Sequence, residues 1–238
     1  SGGESLKVAI IGGGGRMGSW FARYFSSKGV KIVLSDVRIK EVHAMASDIG
    51  AEVARTNPDA VMGVDVALIC VPIDKMREVI FETASYMKEE ALLVEVSSIK
   101  GRTVESLREL ADKGIKPLSI HPLFGPSVGS LRGNTIAVIP VVNGDVEAGL
   151  ARQLFEEAEI VVSEQDEHDR AMAVILSLTY FMNLAFAKVL SKEDLLSLKR
   201  LAGTTFTLQL AIAESVVGEN PDLVRSILRE NVFTRRYV

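Results

Sequence analysis

Short, continuous apolar runs recur along the chain: Val8-Ala9-Ile10-Ile11, Ile32-Val33-Leu34, Val66-Ala67-Leu68-Ile69-Cys70-Val71 and Leu92-Leu93-Val94. Runs without polar alternation mark strands covered on both faces, and hence a parallel sheet. Between them lie stretches with apolar residues at helical spacing: Trp20, Phe21, Tyr24 and Phe25, then about Ile39 to Ile49, then Met76, Val79, Ile80 and Thr83 within Asp74–Met87, then Thr103–Ala111. Strands are predicted at Lys31–Ser35, near Val53, and over Asp65–Val71, Leu92–Val96 and Pro117–Ile120. This alternation predicts the α/β class, with a doubly wound, mainly parallel sheet.

From Asn134 the texture changes. Thr135–Pro140 and Glu159–Val162 read as strands, with a helix over Glu147–Glu156 between them. Everything after Gln165 reads as helical, with breaks near Ser191, Gly203 and Gly218 to Pro221. The predicted division is an α/β domain over residues 6–164 and a smaller all-helical domain over residues 165–238. Ala171 to Ala187 carries no charge, close to the ~20 apolar residues a membrane span needs. Ser177, Thr179 and Asn183, with charged flanks, favour instead a helix buried between neighbours or between two subunits. Such an apolar surface would be an aggregation liability in a monomer, so a homodimer through the helical domain is expected, and no membrane partner. Ser1 to Ser5 reads as a flexible lead-in, and the ending Asn231–Val238, with no terminating turn signal, reads as continuing into a longer polypeptide.

The chain has 238 residues, 47% of them hydrophobic, enough to bury a large core. Its 27 Lys and Arg against 31 Asp and Glu give a net charge of −4, and no basic run offers a nucleic-acid surface. The single cysteine, Cys70, falls inside an apolar run, as expected of a buried strand residue in a reducing, cytoplasmic compartment.

The first apolar run enters Gly12-Gly13-Gly14-Gly15-Arg16-Met17-Gly18 and then an amphipathic helix. Gly13, Gly15 and Gly18 fit the G-x-G-x-x-G spacing of a Rossmann-type dinucleotide site: the first for the tight turn, the second for close approach to a pyrophosphate, the third for helix–strand packing. The helix N-terminus then faces the phosphates, with Arg16 and Met17 in its first turn. The second strand ends in Asp36, roughly twenty residues past the loop, where a carboxylate can hold the ribose hydroxyls. Asp36 would also repel a 2′-phosphate, which favours NAD over NADP, while Arg38 is close enough to soften that preference. A glycine turn that merely closes the sheet is the alternative.

In a parallel sheet, ligands bind at the carboxyl ends of the strands. Val71-Pro72 would fix a loop beside the nicotinamide. Ser97-Ser98-Ile99-Lys100 brings two hydroxyls and an ammonium, and His121-Pro122-Leu123-Phe124-Gly125-Pro126 brings a histidine into a loop stiffened by two prolines. Of the 3 histidines, His43 reads as structural in mid-helix, and His168 as a residue opening the long helix. His121 suits proton transfer near neutrality, with an acidic limb expected near the ~6.5 of ordinary histidine. No cysteine cluster or His-x-x-x-His pair supports a metal site.

The glycine loop, Glu95-Val96-Ser97-Ser98-Ile99-Lys100, His121-Pro122-Leu123-Phe124-Gly125-Pro126 and Glu167-His168-Asp169, in this order, resemble the prephenate dehydrogenases of tyrosine biosynthesis. The resemblance covers nearly the whole chain and is closest to the bacterial enzymes fused to chorismate mutase. It implies NAD-dependent oxidative decarboxylation of prephenate to 4-hydroxyphenylpyruvate, and dimerisation through the helical domain. It further implies that His121 accepts the proton of the ring hydroxyl, that Ser98 bonds that hydroxyl or orients the imidazole, and that Lys100 contributes electrostatically. Two positions depart from the family: Tyr180 stands where many relatives have a histidine, and Thr207 where they have the arginine that grips a substrate carboxylate. Arg200, two turns before Thr207 on the same face if no break intervenes, is the expected substitute, with Arg132 and Arg170 as rivals. Arogenate dehydrogenase, a β-hydroxyacid dehydrogenase and a non-catalytic dinucleotide-sensing module are the alternatives.

Overall fold

The computed structural model describes residues 6–238; the lead-in Ser1 to Ser5 lies outside the described residues. The chain runs β1 (Lys7–Ile11), α1 (Arg16–Ser27), β2 (Lys31–Ser35), α2 (Ile39–Ile49), β3 (Glu52–Val53), α3 (Asn57–Val61), β4 (Val66–Ile69), α4 (Ile73–Ala84), β5 (Leu92–Glu95), α5 (Gly101–Ala111), β6 (Lys116–Pro122), β7 (Thr135–Ile139), α6 (Gly144–Leu154) and β8 (Glu159–Val162). Among the described residues these strands form one 8-stranded sheet in the order β3-β2-β1-β4-β5-β6-β7-β8. β3 through β6 of that order are parallel, β7 pairs antiparallel to β6, and β8 runs parallel to β7. The reversal of winding falls between β1 and β4, where such sheets open their ligand crevice.

Alternate residues of each strand point to opposite faces. Val8 and Ile10 of β1 therefore join Phe21, Phe25 and Leu34 in one core, while Ala9 and Ile11 join Ile69, Met76, Ile80 and Leu107 in the other. The continuous apolar runs are thus explained: every strand position in the centre of the sheet has a helix layer above or below it. Burying a Phe or Leu in either core stabilises by about 1.5–3 kcal/mol. Short α3 has no counterpart in the apolar pattern, but Thr56 caps it by accepting from the Asp59 N–H, with a proline in its first turn.

The chain then becomes helical: α7 (Gln165–Met172), a π-helical turn (Ala173–Leu178), α8 (Thr179–Leu190), α9 (Leu195–Leu201), α10 (Thr204–Val217) and α11 (Pro221–Glu230), with a closing 3₁₀ turn (Thr234–Arg236). Packing divides the chain between His168 and Asp169, within α7. Within the second unit, the Ser177 and Thr234 hydroxyls share a buried 2.8 Å hydrogen bond, and Asn231 donates to the Asp169 carbonyl at 2.7 Å. Gln165–Leu190 is long and apolar enough to cross a membrane by length and composition, yet only 22% of its apolar window is buried. Neighbours within the chain therefore do not bury this helix, which leaves the other expected arrangement, cover by a second subunit. Ile175, Phe181, Met182 and Val189 are exposed, because the second unit has too few elements to cover them.

Candidate active site

The glycine loop is built by contact, not by spacing alone. Gly12 has φ +82°, and a Cβ there would lie 2.3 Å from the Cys70 carbonyl oxygen at the end of β4. The tight turn expected at Gly13 falls on Gly12, one residue earlier, because the Cys70 carbonyl just past the neighbouring parallel strand β4 leaves no room for a side chain. Gly18 keeps its expected role: a Cβ there would meet the Gly12 carbonyl oxygen at 2.0 Å, so the first turn of α1 rests on the loop backbone. Gly15 is the N-cap of α1, and the first turn carries no acidic residue, so its positive end is available to a phosphate.

Asp36 closes the far side of this loop. Its carboxylate accepts the Gly14 N–H at 2.9 Å and the Arg38 N–H at 2.8 Å, and the Arg38 guanidinium lies 3.1 Å from it. Arg38 also lies over Gly15, with Nη2 2.8 Å from where a Cβ would stand. Val71 packs into the second core, and Pro72 starts α4 as its N-cap. The residues fit a dinucleotide: a side-chain-free turn, an uncompensated helix start and a carboxylate at the second strand end converge on one crevice.

At the ends of β5 and β6 lies a buried polar network. Glu95 and Lys100 are both fully buried, and the Lys100 ammonium donates to the Glu95 carboxylate at 2.6 Å and to the Ile120 carbonyl. The Ser97 amide N–H and hydroxyl and the Ser119 hydroxyl also donate to Glu95. Strand register makes this possible, since Glu95 sits opposite Ser119 in the parallel β5–β6 pair. Lys100 thus braces the residue preceding His121 through the Ile120 carbonyl, a positioning role beside the electrostatic one expected of it. Its expected electrostatic contribution acts on the histidine itself. Ser98, partly exposed, makes no side-chain hydrogen bond among the described residues.

His121 is not in a loop. It is the sixth residue of β6, paired with Ala137 of antiparallel β7, and Pro122 pairs with Ile136. Its Nδ1 lies 2.9 Å from Nε2 of His168, and both rings are buried. Burial holds the His121 pKa well below the ordinary histidine value, reinforced by the neighbouring His168 and by the Lys100 ammonium. His168 is the residue that sequence reasoning placed outside the site. Inspecting strand carboxyl ends cannot find it: β8 runs opposite to β6, so its carboxyl end points away from that of β6, and His168 meets His121 only from α7. The available signal was Glu167-His168-Asp169 itself, at a helix start in a chain with so few histidines.

The predicted substrate residues lie in the second unit. α9 ends at Leu201 and α10 starts at Thr204, with extended backbone at Ala202 and Gly203. The break removes the argument that Arg200 shares a helical face with Thr207. Thr207 lines a cavity of about 360 Å³ with Lys199, Phe206 and Glu214, and Arg200 is not among the lining residues. Arg170 stacks over Phe233 at 4.9 Å, while Arg132, in the first unit, is exposed. Tyr180 is half-buried, and burial together with the nearby Glu219 raises its phenol above the usual value. Among the described residues, no cluster of His, Cys, Asp or Glu could hold a metal.

Residues 21–178 match the nucleotide-binding domain of prephenate dehydrogenase, and residues 164–235 match its dimerization domain. The chain is 28% identical over 229 residues to the probable arogenate/prephenate dehydrogenase of Methanocaldococcus jannaschii, covering 94% of this chain and 51% of that protein. It is 27% identical over 227 residues to the T-protein of Haemophilus influenzae, covering 94% and 56%. The chain thus spans about half the length of these curated relatives. Prephenate dehydrogenase from A. aeolicus, solved with hydroxyphenyl propionate and NAD+, shares the fold: TM-score 0.78 at 22% identity, over 100% of this chain and 87% of that one. Both halves of the chain therefore belong to the prephenate dehydrogenase family.

Proposed function

We propose that this chain is an NAD-dependent prephenate dehydrogenase acting in the cytoplasm as a homodimer, converting prephenate to 4-hydroxyphenylpyruvate and carbon dioxide. The observation that carries the reading is His121: buried at the carboxyl end of β6, held neutral by its surroundings, and bonded through Nδ1 so that Nε2 is its other working nitrogen. Gly12 to Gly18 and Asp36 would hold the dinucleotide, which when bound supplies the hydride acceptor. Nε2 of His121 takes the proton of the ring hydroxyl, and Ser98, with its hydroxyl uncommitted, hydrogen-bonds that oxygen. Loss of carbon dioxide returns its bonding electrons to the ring, which becomes aromatic, so the protein's task is to position and polarise. The match to a dimerization domain and the exposed Ile175, Phe181 and Met182 support a second copy as the cover for the long helix.

Mixing the chain with NAD and either prephenate or arogenate tests the substrate. NADH fluorescence should rise faster with prephenate, and an equal or faster rise with arogenate would reassign it. Cofactor choice follows from Asp36. kcat/KM should favour NAD over NADP, and Asp36→Ala should narrow the gap; comparable values for both cofactors in the unaltered chain would reject this assignment.

A further inference from the structure

A hydrogen bond between two imidazoles needs one N–H and one lone pair, so the 2.9 Å contact between His121 Nδ1 and His168 Nε2 can be made in two ways. If His168 donates, neutral His121 carries its own proton on Nε2 and has no lone pair there. If His121 donates from Nδ1, its Nε2 lone pair is bare and can accept a proton.

Only the second arrangement survives proton uptake. Once His121 becomes an imidazolium, both of its nitrogens carry hydrogen, and a donating His168 would face it N–H to N–H. An accepting His168 keeps the bond before and after transfer, with no reorganisation. The geometry points to His168 as a positioning residue that fixes the Nδ1–H tautomer of His121 and so makes Nε2 the proton acceptor. This rests on the reading of His121 as the base. His168 does here what a carboxylate does behind the histidine of a hydrolase triad, but without adding negative charge. The charged groups facing His121 are the Lys100 ammonium at the start of α5 and, paired with it, Glu95 of β5. Lys100 opposes the imidazolium, so His168 supplies orientation while the neighbourhood keeps the ring neutral.

The test is ¹⁵N NMR of the imidazoles in the full chain at neutral pH, with kinetics alongside. In the unaltered protein His121 should be protonated on Nδ1. His168→Leu removes the acceptor, so the Nε2–H form should gain population and kcat should fall about 10- to 100-fold, the scale known for losing the hydrogen-bond partner that orients a metal-bound histidine, with NAD affinity nearly unchanged. His168→Gln, whose amide oxygen can replace Nε2 as acceptor, should restore much of both. If the Leu variant does not fold, His168→Asn removes the contact through a shorter polar side chain. An Nε2–H tautomer in the unaltered protein, or a tautomer unmoved by losing His168, overturns the proposal. A tautomer that moves while turnover stays constant overturns the reading of His121 as base.

Discussion

Replacing His121 with Asn is expected to lower kcat by about 10²- to 10⁴-fold, the scale of lost general-base catalysis, while NAD binding stays nearly unchanged. The two effects separate because the phosphates would be held by Gly12 to Gly18 at the end of β1, whereas His121 sits in β6. The pH profile carries the sign. The neutral imidazole is the active form, so kcat rises as pH climbs through the pKa of His121 and is level above it. Burial, His168 and Lys100 place that pKa well below 6.5, so turnover should be flat through neutrality and fall only on the acid side. The expectation of a limb near the ordinary histidine value, drawn from the residue type alone, is corrected by the site. The limb should vanish in His121→Asn. A thermal melt separates this from a structural role: a variant that melts normally yet keeps its turnover and its limb would place the base elsewhere.

The second large effect is on stability. Lys100→Met should destabilise the chain by about 3–5 kcal/mol, because it leaves the Glu95 carboxylate buried without its 2.6 Å cation. Ser97 and Ser119 still donate to Glu95, but neutral donors do not replace a full charge. The lost ammonium also frees the Ile120 carbonyl, adjacent to His121, and removes a positive charge from the imidazole's surroundings. In the fraction that folds, the acidic limb should therefore move to higher pH. Denaturant midpoints measure the first effect and pH–rate profiles the second. A loss below about 1 kcal/mol would mean that water reaches Glu95, contrary to its complete burial.

The parallel sheet was legible because its strands are buried on both faces and so read as unbroken apolar runs. The glycine loop was legible as a motif, but not in its division of labour: only the approach of the Cys70 carbonyl shows that Gly12, just before the motif's first glycine, can carry no side chain. His121 and Pro122 were read as loop because their strand partners, Ala137 and Ile136, come from antiparallel β7, a pairing that local pattern cannot announce. The same limit hid His168, which meets His121 across 47 residues, and the role of Glu95, whose charge matters only because Lys100 is folded onto it. The break at Ala202 and Gly203 was marked by the glycine, yet its consequence for Arg200 needed the backbone.

Following NADH and carbon dioxide together after mixing the chain with NAD and prephenate tests the proposed turnover directly. Both should form in equal amounts, matching the prephenate consumed, with 4-hydroxyphenylpyruvate as the product. Protein that binds NAD by titration but forms neither NADH nor carbon dioxide, from prephenate or from arogenate, would contradict it and leave a nucleotide-binding module without turnover.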